Sequence, residues 1–258
     1  MDAAVATKHP VKINRWLPYW AVFQADVRLT LHSWVFRTWV VVSVLATVGY
    51  LIYSYGVLRE AGIRQPASRL VSDLLRWTLL GSVTLIIVMT AGCISSERGT
   101  MADSVLSRGI SRYQYFLGKW HARMATILST FLVLGAFTLL GSFFLLHDDL
   151  SLSGSLVALA TVGVLLAAVI SCGVAVSSMA NSSVLCIAIL WLTLYGGGFV
   201  LSILPAKLPL PDWSLANLTF VLQGFYDLHT LGRIALWSAG VSLGAALVGL
   251  VYFSRRDV

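Results

Sequence analysis

The sequence predicts an all-α, polytopic membrane protein with six transmembrane helices, an N-terminal amphipathic interfacial helix and a short cytoplasmic helix. Three observations lead there. Of 258 residues, 58% are hydrophobic and only 11% charged, where a soluble domain is about half apolar and roughly a quarter charged. The mean hydropathy is +0.83. Long apolar runs alternate with short charged ones. This balance excludes a soluble enzyme, a disordered chain and a nucleic-acid-binding domain.

The amphipathic helix comes first. Trp16, Trp20, Phe23, Val27, Leu31 and Trp34 follow one another at steps of three and four residues, so on a helix they form one apolar stripe, with tryptophans at headgroup depth. Arg15, Asp26, Arg28 and His32 fall off that stripe, and Pro18 is tolerated in a first turn. Residues 1–37 carry too many charges for a secretory signal peptide.

A helix needs about 20 apolar residues to cross a hydrocarbon core of roughly 30 Å. Six runs qualify: Thr38–Leu58, Trp77–Ile94, Met124–Leu146, Ser155–Ala180, Ser183–Leu204 and Ile234–Phe253. The fourth and fifth share residues 150–206, which contain no charge. Six spans put both termini on one side. With the termini inside, the inner segments hold 12 of the 18 Lys and Arg residues. The net charge of +7 then reads as positive-inside orientation in a cytoplasmic (inner) membrane. The division is 1–37 for the tail and amphipathic helix, 38–254 for the bundle, 95–112 for an inner loop and 205–231 for an outer helical segment, re-entrant or on the surface. That last segment follows Gly196–Gly198, Pro205, Pro209 and Pro211 and is too short to span.

The inner loop carries two helix-start signals: Thr100 with Asp103, and Ser111 with Gln114. They predict a short helix over Met101–Ser107, a stop at Gly109 and a new helix from Arg112. Arg112, Lys119 and Arg123 share one face of that helix, either as ordinary positive-inside charge or as a surface able to pair with acidic partner residues or lipid phosphates. Gly163, Ala167, Ser171 and Ala175 recur every four residues, Gly240 and Gly244 form a GxxxG, and Ala245 and Gly249 repeat that spacing, so these small residues predict close helix packing, within the chain or between two chains.

Catalytic patterns are missing from the sequence. No GxxxxGK[ST], HExxH, GxSxG or metal-spaced Cys/His cluster occurs. Cys93, Cys172 and Cys186 lie in apolar runs and make no CxxC pair. Met89 and Cys93 are four apart on one helix face and are the weak metal-ligand candidates, against a plain packing role.

The run Glu97-Arg98-Gly99-Thr100, then Leu106-Ser107-Arg108-Gly109-Ile110-Ser111-Arg112, then Gly118-Lys119, resembles the cytoplasmic loop of ABC-2 type transporter permeases, and the ending Phe253-Ser254-Arg255-Arg256-Asp257 is similar to that family's C-terminus. The sequence departs at Gly109, where the family usually has proline, and in the short gap after Glu97. The resemblance implies a homodimeric export pathway, spans one, two and five lining it, driven by two copies of a separate ATPase subunit. That subunit would hold ATP and Mg, and this chain would bind no cofactor and catalyse nothing. Glu97, Gly99, Thr100, Met101, Asp103, Leu106, Arg108 and Arg112 would form the ATPase-coupling loop. Partners would be the ATPase, a second copy, the bilayer and in some systems a periplasmic or extracellular accessory protein; nucleic acid is not expected. The alternative is a membrane assembly factor of the same shape serving metalloenzyme maturation, such as a copper site, with Met89, Cys93, Cys172 and Met179 as its hints.

Overall fold

The structure is a computed structural model that describes residues 16–62, 66–97, 110–146, 149–198 and 217–255. The described residues are about 90% helical and contain no strand. The helices are α1 (Leu17–His32), α2 (Trp34–Ala61), α3 (Ala67–Ser95), α4 (Arg112–Leu146), α5 (Leu152–Met179), α6 (Ser183–Trp191), α7 (Leu218–Leu222) and α8 (Leu228–Arg255). Five of them, α2, α3, α4, α5 and α8, are long and apolar enough to cross a membrane, which marks the chain as a multi-pass membrane protein. The remaining expected span, Ser183–Leu204, is seen as α6 continued by a π-turn over Leu192–Gly196, and is described only to residue 198. Five helices rather than six therefore reach spanning length among the described residues.

Local chemistry sets the helix ends. Ser33 closes α1 and opens α2: its hydroxyl donates to the Thr30 carbonyl at 2.8 Å and accepts from the Phe36 amide at 3.2 Å. The amphipathic stripe is thus interrupted by an elbow, and Trp34, expected at its end, belongs to α2. Gly62 ends α2 in the left-handed region, at φ 63°, where glycine carries no Cβ penalty. The Ser111–Gln114 box forms reciprocally, at 3.1 and 3.2 Å. From it α4 runs 35 residues, about 52 Å at 1.5 Å per residue, so its first turns project beyond a hydrocarbon core of roughly 30 Å. The Thr100–Asp103 box and the expected helix Met101–Ser107 lie outside the described residues.

The most apolar of the five long helices, α5, is the centre on which α3, α4 and α8 pack, and small residues bring the backbones together. A Cβ on Gly249 of α8 would stand 2.9 Å from the Ala175 Cα and 3.0 Å from the Phe116 ring. One on Gly173 would overlap Thr90 of α3, and one on Gly135 of α4 would overlap Leu159. Ser171 is fully buried, bonding Ser242 of α8 at 2.7 Å and accepting from the Trp120 ring nitrogen at 2.9 Å. Gly163 faces the Phe131 ring at 4.0 Å, and Ala167 is half-buried. Of the two alternatives for Gly240 and Gly244, packing within the chain is not what is seen, because among the described residues nothing lies within 4 Å of the Cβ either would carry. The period alone did not reveal the face: α8 turns Ser242 and Gly249 to α5 and Gly240 and Gly244 outward.

At the opposite end from Glu97, α7 lies across the starts of α3 and α5. Leu218 and Leu222 are buried there. The Ser151 amide donates to the Leu222 carbonyl at 2.9 Å. Asp149 ties the layer: it accepts from the Ser68 amide at 2.9 Å, from the Ser68 hydroxyl and from the Gln223 amide at 3.1 Å. This is the described part of the expected 205–231 segment. Burial alone would raise the Asp149 carboxyl, but the bonds from Ser68 and Gln223 outweigh it and hold the carboxyl below its ordinary value.

Two outcomes are expected. Gly249→Ala destabilises the detergent-solubilised protein by about 1–3 kcal/mol through overpacking against backbone, whereas Gly244→Ala is neutral or stabilising by about 0.5–1 kcal/mol; equilibrium unfolding separates them. Because the folded carboxyl of Asp149 titrates below its unfolded value, the stability it adds is complete above the ordinary carboxylate range and is lost as pH falls through that range to the folded value. Asp149→Asn then removes this acid-side loss from a plot of melting temperature against pH.

Candidate functional site: a buried ion cluster

Three elements meet where α3 ends: α1, the last turn of α3 and the projecting part of α4. α1 presents Tyr19, Val22, Asp26 and Thr30, spaced three and four residues apart, to α4. Gly118 makes the approach close, since a Cβ there would stand 2.9 Å from Val22 Cγ1 and 3.3 Å from the Tyr19 carbonyl oxygen. With α1 at this distance, Asp26 is 1% exposed and sits between two cations of α4. Lys119 Nζ is 3.2 Å from Asp26 Oδ1. The Arg123 guanidinium lies side-on to the same carboxylate, with Nε 2.9 Å from Oδ2 and Nη2 3.2 Å from Oδ1.

Lys119 is itself 3% exposed, and its ammonium uses three donors on three partners. Besides Asp26, it donates to the Cys93 carbonyl at 2.8 Å and to Glu97 Oε1 at 2.7 Å. The Tyr115 hydroxyl donates to the other Glu97 oxygen at 2.6 Å, and its ring lies 5.4 Å beneath the ammonium. Two carboxylates face two cations, so the cluster is formally neutral. A charge this deep is tolerated only when paired and hydrogen-bonded. A second link, Tyr19 hydroxyl to His121 Nδ1 at 3.0 Å, holds the start of α1 to α4.

This geometry corrects two expectations. Asp26, placed off the apolar stripe beside Arg28 and His32, is the buried anion of the cluster. Lys119 and Arg123, expected either as ordinary positive-inside charge or as a surface for acidic partner residues or lipid phosphates, are spent inside the chain on Asp26 and Glu97. The physical reason is that α1 buries the face next to its apolar stripe, and that face carries one carboxylate. The stripe itself points outward: Trp16, Trp20 and Leu31 are exposed, Phe23 and Val27 half-buried, and Trp34 is 81% exposed.

Of the expected coupling residues, Glu97 enters the cluster. Arg112 donates to the Ser254 carbonyl at 3.3 Å and ties the start of α4 to the end of α8. Gly99, Thr100, Met101, Asp103, Leu106 and Arg108 lie outside the described residues. Met89 and Cys93 are buried in the main core, and among the described residues no three His, Cys, Asp or Glu side chains are grouped to hold a metal ion. Sequence reasoning missed Asp26, Tyr115 and the role of Gly118. The available signal was the second stripe, Tyr19, Val22, Asp26 and Thr30, with a single acid at its centre.

Fold and site together define a multi-pass helical membrane protein whose N-terminal helix is anchored by buried ion pairs. The chain matches no family model and no curated protein.

Removing one partner from a buried ion pair costs about 3–5 kcal/mol, because the other charge stays buried. Asp26→Ala is expected to lower stability by that amount, as it takes the carboxylate from Arg123 and one of three partners from Lys119. Glu97→Gln, at a side chain 37% exposed, costs less. Thermal unfolding of the two variants in one detergent checks the order.

Proposed function

We propose that the chain is the permease subunit of an ABC-2 type exporter, working as a dimer and driven by two copies of a separate ATPase. One observation carries the reading. Glu97 and Lys119, which the family resemblance picks out from two separate motifs, stand 2.7 Å apart in one cluster. Displacing Glu97 would pull on Lys119, and through Lys119 on the contact of α4 with α1.

In this reading the termini and the 95–112 loop are cytoplasmic, and the expected helix Met101–Ser107 seats in the ATPase. ATP and Mg bind in the ATPase, whose closure displaces the loop. Glu97 passes the displacement to Lys119, and Lys119 and Arg123 pass it to Asp26 and so to α1 at the membrane surface. The pathway forms between the two copies. Charge is scarce inside the spans, so the driving energy comes from the partner rather than from ion movement through this chain.

Co-expression with a candidate ABC ATPase subunit tests the proposal. Vanadate-sensitive ATP hydrolysis is expected only when both proteins are present, and the triple substitution Met101→Asp, Leu106→Asp, Arg108→Asp should dissolve the complex. A complex that survives the triple variant with unchanged ATPase activity would overturn the coupling assignment.

A further inference from the structure

Between α2 and α3 runs a laterally open groove of about 380 Å³. Its α2 wall includes Trp39, Val42, Ala46 and Tyr50, and its α3 wall includes Leu74, Trp77 and Leu85. The α2 wall is a single helix face that extends about 16 Å at 1.5 Å per residue. At one end the Trp39 ring nitrogen donates to the Ser82 hydroxyl at 2.6 Å and closes the floor between the helices. Both walls belong to helices of spanning length, and among the described residues no charged side chain lines the groove. At hydrocarbon depth such a slot offers water few partners, and left empty it forfeits dispersion contacts along both walls. A flexible apolar chain fills it.

The other end opens beside Tyr50, near the water-side end of α3. Arg69 and Asp73 of α3 both lie within electrostatic reach of the Tyr50 side chain. They are four residues apart, yet among the described residues neither forms an ion pair, with the other or with any other group. Cation before anion is also the less favourable order for an i, i+4 pair. An unpaired cation and anion one turn apart, at the mouth of an apolar groove, complement a head that carries a phosphate and an ammonium together.

We infer that this groove is a binding site for a zwitterionic phospholipid: one acyl chain lies between α2 and α3, the phosphate rests on Arg69 and the head ammonium on Asp73. The site does not depend on the transport reading, since it needs no ATPase and no dimer.

The test is native mass spectrometry of the purified full-length chain in detergent, titrated with phosphatidylethanolamine and phosphatidylglycerol, with circular dichroism to check folding. The wild type is expected to keep one phosphatidylethanolamine per chain in preference to phosphatidylglycerol. Ala46→Trp, which fills the groove, should abolish retention. Arg69→Gln should weaken it about tenfold, the loss of one charge-assisted bond. Asp73→Asn should keep lipid bound but erase the preference. Equal retention of both lipids by the wild type, or undiminished phosphatidylethanolamine on folded Ala46→Trp, overturns the proposal. Should Ala46→Trp fail to fold, the exposed Arg69→Gln decides alone: unchanged retention overturns the site.

Discussion

A carboxylate carried into the packed end of a membrane bundle must find cations there, and the contact of Asp26 with Lys119 and Arg123 is where this chain meets that demand. Burying one charge alone costs several kcal/mol, and only pairing with full hydrogen bonding offsets it. The arrangement therefore fixes more than one contact. Asp26 holds α1 against α4, Lys119 reaches on to Glu97 and the Cys93 carbonyl at the end of α3, and Gly118 lets the helices approach closely enough for the chemistry to close. Without α1, Arg123 would lose its carboxylate and Lys119 would keep only Glu97 and the Cys93 carbonyl.

The rest of the bundle rests on a different economy. In lipid, apolar surface alone gives helices little reason to prefer each other over lipid tails, so close packing and a few polar links decide the fold. Around α5 these are Gly173 under Thr90, Gly249 on Ala175, and the serine pair Ser171–Ser242. Elsewhere the helices remain open. α2 leaves Val41, Leu45 and Ile52 exposed, and α8 leaves Leu236, Val241 and Leu247 exposed; these are surfaces for lipid or for another protein chain. The Asp149 network closes the far end through side chains from three separate segments, so both ends of the bundle are tied by polar chemistry while its sides are apolar.

Much of the architecture was legible because membrane thickness and helix rise leave little freedom. Four of the five long helices contain the whole apolar run that announced them, and the fifth, α5, stops one residue short at Met179; α2 begins earlier than its run, at Trp34, because Ser33 ends one helix and starts the next. The Ser111–Gln114 box was legible because both its bonds are local. Asp26 was not: hydropathy sorts a carboxylate to the water side, and only the position of α4 reverses that. Lys119 and Arg123 were seen as one face of a helix, but a spacing does not say what the face meets. Two instances of the small-residue period stand on one helix, and they part: Gly240 and Gly244 point outward, while Gly249 of the Ala245–Gly249 pair makes the close contact. Each miss concerns which neighbour a helix face receives, a tertiary fact with no signature in the period.

The central claim is that Lys119 joins the N-terminal helix, the start of the 98–109 loop and α4 into one mechanical unit. Hydrogen exchange of the wild type and of Lys119→Met in the same detergent tests it most directly. The claim requires amide exchange to speed up together in residues 17–32 and 92–97, two segments distant in sequence, while α5 keeps its protection. Unchanged protection of α1 in the variant would contradict it.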